Sequence, residues 1–196
     1  MRNTRVSKLL SATIFLFAAL TASAQDKPAP ETPKAFAAFH PLKLHNGPLA
    51  QALGPAAAAA SNVQLKGPAP QVSRVTVFAV GSSQYGGWEY MTTVGQTSTA
   101  ADHGGELLRV VVQVIGYDNP AMNWSTMDGT YTAAAYQSES LCIVNGFYDT
   151  SCPVGTVVVG WLRYYNWDGF SHGQFQSRHV SVNGGWPEFI SSIYIQ

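Results

Sequence analysis

The chain is poor in several things at once, and each shortage excludes something. After Lys66 there is no lysine. Residues 71–196 carry only Arg74, Arg109, Arg163 and Arg178 against nine acidic residues, a net of −5. A nucleic-acid partner needs phosphate neutralisation by a basic stripe, and this region has none. Cysteine is nearly missing too, with only Cys142 and Cys152. Two cysteines with nine residues between them do not make a zinc framework. No apolar stretch is long enough for a membrane-spanning helix, which needs about 20 residues. The longest apolar stretch is Leu9–Leu20. Proline is scarce after residue 71, where only Pro120, Pro153 and Pro187 remain. No segment beyond residue 71 shows a convincing helical period.

What is present at the N-terminus reads as an export signal. Arg2, Arg5 and Lys8 precede the apolar run, and Ala22-Ser23-Ala24 supplies a small-x-small cleavage pattern before Gln25. The expectation is a secreted or periplasmic protein, with no membrane insertion of the mature chain. Residues 25–70 hold eight prolines and the Ala56–Ala60 run, which reads as a linker or pro-segment without a packed core. Residues 71–196 then form one domain of 126 residues, enough for a single hydrophobic core.

That domain reads as all-β. Short runs rich in β-branched and aromatic residues fall at 74–80, 88–93, 107–117, 131–144, 156–165, 175–182 and 189–195, with Gly- and Asx-rich turns between them. The spacing predicts an antiparallel, sandwich-like domain of about eight strands. In 107–117, Leu108, Val110, Val112 and Val114 share one face. The opposite face carries Arg109, Val111, Gln113 and Ile115 and is mixed, suited to solvent or a ligand. Asn145-Gly146 is a hairpin turn signal. In an exported chain Cys142 and Cys152, equidistant from Phe147, are expected to face each other across a hairpin with a broad loop and pair, a short-loop disulfide contributing about 3 kcal/mol on the entropy argument.

Three stretches stand out: Gly86-Gly87-Trp88-Glu89-Tyr90, Asp102-His103-Gly104-Gly105 and Gly160-Trp161-Leu162-Arg163-Tyr164-Tyr165. Through them the chain resembles the YolA-type family of uncharacterised secreted bacterial proteins, over most of residues 73–165. The resemblance implies a small exported domain and assigns no catalytic residue. The Cys142–Cys152 segment has no counterpart in that pattern.

The candidate chemistry falls into three sets. Asp102 and His103 are the enzyme-like pair, since a carboxylate can orient an imidazole as general base, with Ser98 or Thr99 as the nucleophile. The competing reading is a loop in which Asp102 makes an Asx turn and His103 packs. His172 and His179 read as surface or packing residues. Asp118, Asp128, Asp149 and Asp168 lie in expected loops and are the candidate ligands of a structural calcium ion, although no EF-hand spacing is present. No other cofactor is indicated. The third set is aromatic. Residues 71–196 hold five tryptophans, nine tyrosines and five phenylalanines. Trp124, Trp167 and Trp186 sit in polar or Gly-rich stretches, and Tyr165 and Asp168 flank Trp167. Aromatic rings can stack on the C–H faces of sugars while carboxylates and amides take hydroxyls. The sequence therefore points first to a non-catalytic module binding glycan or cell-envelope material. Two alternatives stand beside it: a hydrolase using Asp102 and His103, and a secreted effector acting on a protein partner. Asn123-Trp124-Ser125 also matches a glycosylation sequon.

Overall fold

The computed structural model describes residues 69–196, apart from Val94 and Thr130. The expected signal peptide and all but the last two residues of the expected linker lie outside the described residues.

The domain is all-β and sandwich-like, as the sequence pattern predicts. Its strands are β1 (Arg74–Ser82), β2 (Gly87–Tyr90), β3 (Leu108–Ile115), β4 (Trp124–Met127), β5 (Tyr131–Ala133), β6 (Gln137–Val144), β7 (Phe147–Asp149), β8 (Val158–Asn166), β9 (Gly173–Val180) and β10 (Glu188–Ile195). One antiparallel sheet runs β2-β1-β3-β8-β6-β7 and the other β10-β9-β4-β5. Among the described residues, the seven expected runs, read as about eight strands, become ten strands for local reasons. The long run 131–144 breaks between β5 and β6, and the four-residue β4 and three-residue β7 are too short to show alternation in sequence.

The Asn145-Gly146 signal is realised as a two-residue turn, both residues at positive φ, with Val144 opposite Phe147. This tight turn corrects the expected cysteine register. Cys142 stands opposite Asp149, and Cys152 lies beyond the end of β7. Both cysteines are free thiols in the structure. They still lie close together, because their sulfurs approach the same Asp149 carbonyl at 3.3 and 3.7 Å.

The six-stranded sheet buries both of its faces. One face meets the four-stranded sheet through Val77, Val80, Leu108, Val110, Val112, Val114 and Tyr165, against Met127, Phe175, Ile193 and Ile195. The other buries Phe78, Ala79, Val111, Leu141, Tyr148, Val159, Leu162 and Tyr164, all from its own strands. A flat sheet would leave that second face open, so the sheet curls around it. Two register shifts supply the bend, one between Val77 and Ala79 on β1 and one where Leu141 and Cys142 of β6 cross β8. An extra residue in one strand locally increases twist and bends the pair.

Between the sheets, Asp118 follows β3 and binds four groups. Its Oδ2 accepts from His179 Nδ1 at 2.8 Å, Asn123 Nδ2 at 2.5 Å and Arg163 Nε at 3.2 Å, while Oδ1 accepts from Arg163 Nη2. Arg163 continues to Ser138 Oγ at 2.7 Å, and Asn123 Oδ1 accepts the Val180 N–H at 3.1 Å. The side chains of Asp118 and His179 are fully buried and that of Arg163 is nearly so. A carboxylate only accepts, so His179 Nδ1 carries the proton it donates. Burial alone would raise the Asp118 pKa. The hydrogen bonds from His179 and Arg163, and their charges, outweigh burial and hold the carboxyl below its usual range.

Asp118→Asn leaves the Arg163 guanidinium buried without its counter-charge, which costs about 3–5 kcal/mol. Urea unfolding at neutral pH measures that loss. A carboxyl with a depressed pKa contributes stability above its unfolded value and loses it as the pH falls through the folded value. Wild type therefore loses stability as the pH drops below about 4, and Asp118→Asn loses less over the same window.

Candidate functional site

The mixed face of 107–117 is the face that the curled sheet turns inward. Strand pairing lines Val111 up with Ala79 of β1 and Tyr164 of β8, and Tyr164 with Gln137 of β6. Side chains two apart on a strand share a face, so Trp88 and Tyr90 of β2 come with Ala79, and Glu139 of β6 comes with Gln137.

Tyr164 is the centre of this surface. Its ring meets Trp88 edge-on with centroids 6.5 Å apart, and Tyr136 likewise at 6.3 Å. Its hydroxyl donates to Glu139 Oε2 at 2.7 Å. The Arg109 guanidinium lies 5.7 Å from the centre of the Tyr136 ring. Arg109 also donates to Asn166 Oδ1 at 2.7 Å and pairs with Asp168. Tyr90 packs edge-on against Phe78 at 5.6 Å. Tyr164 is buried, Trp88, Tyr90 and Glu139 are half-buried, and Tyr136 is exposed. The result is an aromatic wall edged by a carboxylate and a fixed Arg–Asp pair. Burial pushes the Glu139 carboxyl above its usual range, with the Tyr164 hydroxyl opposing, and it pushes up the phenols of Tyr90 and Tyr136. On the same face Gln113 is buried, and its Nε2 has no acceptor among the described residues.

The expected aromatic set is not brought together. Trp167 and Tyr165 lie in the core between the sheets, so neither offers a ligand surface. Trp124 is on β4 of the other sheet, with the Arg178 guanidinium 5.6 Å from its ring centre. Trp186 is exposed in the turn before β10. Of the five, only Asp168 reaches the aromatic wall, through Arg109. The wall itself was missed because its residues come from four strands and the loop before β6. The signal for it was the period-two pair Trp88/Tyr90 together with the mixed face of β3.

Asp102 and His103 point apart. Asp102 Oδ1 accepts the Gly104 N–H at 2.9 Å in an Asx turn, and Oδ2 accepts from Gln84 Nε2 at 2.8 Å. His103 is fully buried, its Nε2 lying 2.8 Å from Glu89 Oε2. Glu89 also accepts the N–H groups of Ala100 and Ala101, at 2.7 and 3.0 Å. Burial would raise the Glu89 pKa, but these bonds hold the carboxyl below its usual range. The buried imidazole is thus tied to a carboxylate that also holds the backbone of Ala100 and Ala101. Of the two nucleophile candidates, Ser98 stands beside Tyr194 in an isolated bridge and its carbonyl accepts from Gln96 Nε2 at 2.9 Å, and Thr99 donates its hydroxyl to the Ala101 carbonyl.

The calcium candidates are likewise separated. Asp118 is held in the inter-sheet cluster, Asp128 accepts from the Gln174 N–H, Asp149 from the Ser151 N–H, and Asp168 pairs with Arg109. Among the described residues, no three His, Cys, Asp or Glu side chains converge on a metal position. His179, expected at the surface or in packing, belongs to the Asp118 cluster. Asn123 of the sequon is buried, and both ends of its amide are bonded.

Comparison with protein families matches residues 67–195 to a domain of unknown function, DUF4879, and the chain belongs to that family. No curated protein matches the chain.

The placement of the tryptophans is checked by stability. Trp167→Ala opens the core and costs about 3–5 kcal/mol, whereas the exposed Trp186→Ala stays within about 0.5 kcal/mol of wild type. Denaturant unfolding of the two variants measures the difference.

Proposed function

We propose that this DUF4879 member is an exported binding module whose aromatic wall takes a glycan chain of the cell envelope. The observation that carries the reading is the cluster of Trp88, Tyr136 and Tyr164 in edge contact, bordered by Glu139 and the Arg109–Asp168 pair. A sugar offers an apolar C–H face to such rings and hydroxyls to such polar groups. Tyrosine and tryptophan suit binding surfaces for the same reason, an apolar body with a polar tip. The N-terminal export pattern and the net negative domain fit a partner outside the cell. The YolA-type resemblance belongs to this reading, since two of its three stretches supply Trp88 and Tyr164.

The test is a pull-down of the protein on insoluble peptidoglycan, chitin and cellulose. Retention on one polymer is expected, weakened about five- to tenfold by Trp88→Ala and by Tyr136→Ala and unchanged by Trp186→Ala. No retention on any polymer, or retention indifferent to Trp88 and Tyr136, refutes the assignment.

The Cys142–Cys152 disulfide belongs to the same reading. Burial, the neighbouring Cys142 thiol and Asp149 push the Cys152 thiol up to about 12, so neither a free nucleophile nor spontaneous exchange is favoured. A disulfide-exchange oxidant in the export compartment would accept the two hydrogens and leave the bond. Intact mass of protein recovered from that compartment should lie two hydrogens below the reduced value, and an unshifted mass excludes the bond.

A further inference from the structure

Apart from the aromatic wall, the structure holds an open cleft of about 510 Å³ lined by Asp102, Gly104, Ser171, His172, Tyr194 and Gln196. This is within the size range of small-molecule sites. Inside it, Ser171 Oγ lies 2.9 Å from His172 Nδ1. With the ring proton on Nε2, the serine hydroxyl donates to Nδ1, which places a nucleophile and a base in hydrogen-bond reach.

The pair is held from both sides. Immediately before it, Phe170 packs edge-on against Tyr131 at 5.1 Å and Trp167 at 5.6 Å. Immediately after it, Gly173 takes a φ of +142°, and a Cβ there would meet the Asp128 carboxylate. That carboxylate accepts the Gln174 N–H at 2.8 Å. These contacts fix the residues on either side of the pair. Asp102, which lines the same cleft, is fixed by Gln84 and by the Gly104 N–H.

We propose that Ser171 and His172 form an acyl-transfer site for short acyl esters, in the cleft that Asp102 also lines. The Ser171 oxygen bonds to the ester carbonyl carbon as its proton passes to His172 Nδ1. The bond from that carbon to the alcohol oxygen breaks, and the alcohol leaves with the proton from His172. Water, deprotonated by His172, then releases the acid and restores the serine. The Asp102 carboxylate supplies negative charge to the cleft where the imidazolium forms. The site is independent of the glycan reading and differs from the Asp102–His103 pairing expected from sequence, because the histidine that shares a cleft with Asp102 is His172.

The test uses the full chain with a fluorophosphonate probe, peptide mapping by mass spectrometry, and p-nitrophenyl acetate hydrolysis. The expected result is an adduct on Ser171, its loss in Ser171→Ala, and at least a tenfold slower reaction in His172→Ala. Asp102→Asn is expected to lower kcat with KM unchanged. Far-UV circular dichroism confirms folding, since Ser171 is only half-buried and His172 is exposed. No adduct on Ser171, or wild-type hydrolysis by folded Ser171→Ala, overturns the proposal. Neither result bears on polymer retention.

Discussion

The rest of the domain is arranged around one buried carboxylate. Asp118 draws Arg163 from the six-stranded sheet and His179 from the four-stranded sheet onto the same two oxygens, with Asn123 completing the set. Burying ions carries a large desolvation cost, which only a full complement of partners offsets. The cluster is therefore directional in a way the apolar core is not. Valines between the sheets can slide by two residues and still face the same core, whereas Asp118 has one place where all its donors converge. Tyr165 extends the cluster, its hydroxyl 3.4 Å from His179 Nε2, so the polar centre continues into the inter-sheet core.

The second constraint is curvature. The six-stranded sheet buries an apolar cluster on the face that the other sheet does not cover, and two bulges let it do so. Curling brings β2 and β6 toward each other over β8, so Trp88, Tyr164 and Glu139 come to share one surface. The aromatic wall is thus a by-product of how the sheet solves its own burial problem. The same face carries the polar groups Arg109, Gln113 and Glu139 on strands that otherwise read as core, which is the expected mark of a surface kept for something other than packing.

Much of the fold was legible because strand signals are local. The alternation in β3 identified its core and mixed faces residue by residue, and Asn145-Gly146 located its turn. The short strands β4 and β7 were illegible, since three or four residues carry no period. The hairpin register at Cys142 was misread because it follows turn length, and the turn closes on two residues, setting Cys142 opposite Asp149.

The candidate sites were less legible, for a different reason. Residue types could be nominated from sequence, but their grouping could not. Trp167 looked like a loop tryptophan and is core. His103 stood next to Asp102 and turned to Glu89, 14 residues earlier, while Asp102 came to share a cleft with His172. By itself the sequence determined the all-β class, the faces of its longer strands and the negative charge of the domain, because these depend on neighbouring residues and on composition. Only the tertiary structure decided which aromatic rings form a wall and which histidine meets which carboxylate, because those groupings depend on strand order and sheet curvature, which arise from contacts between residues far apart in the chain.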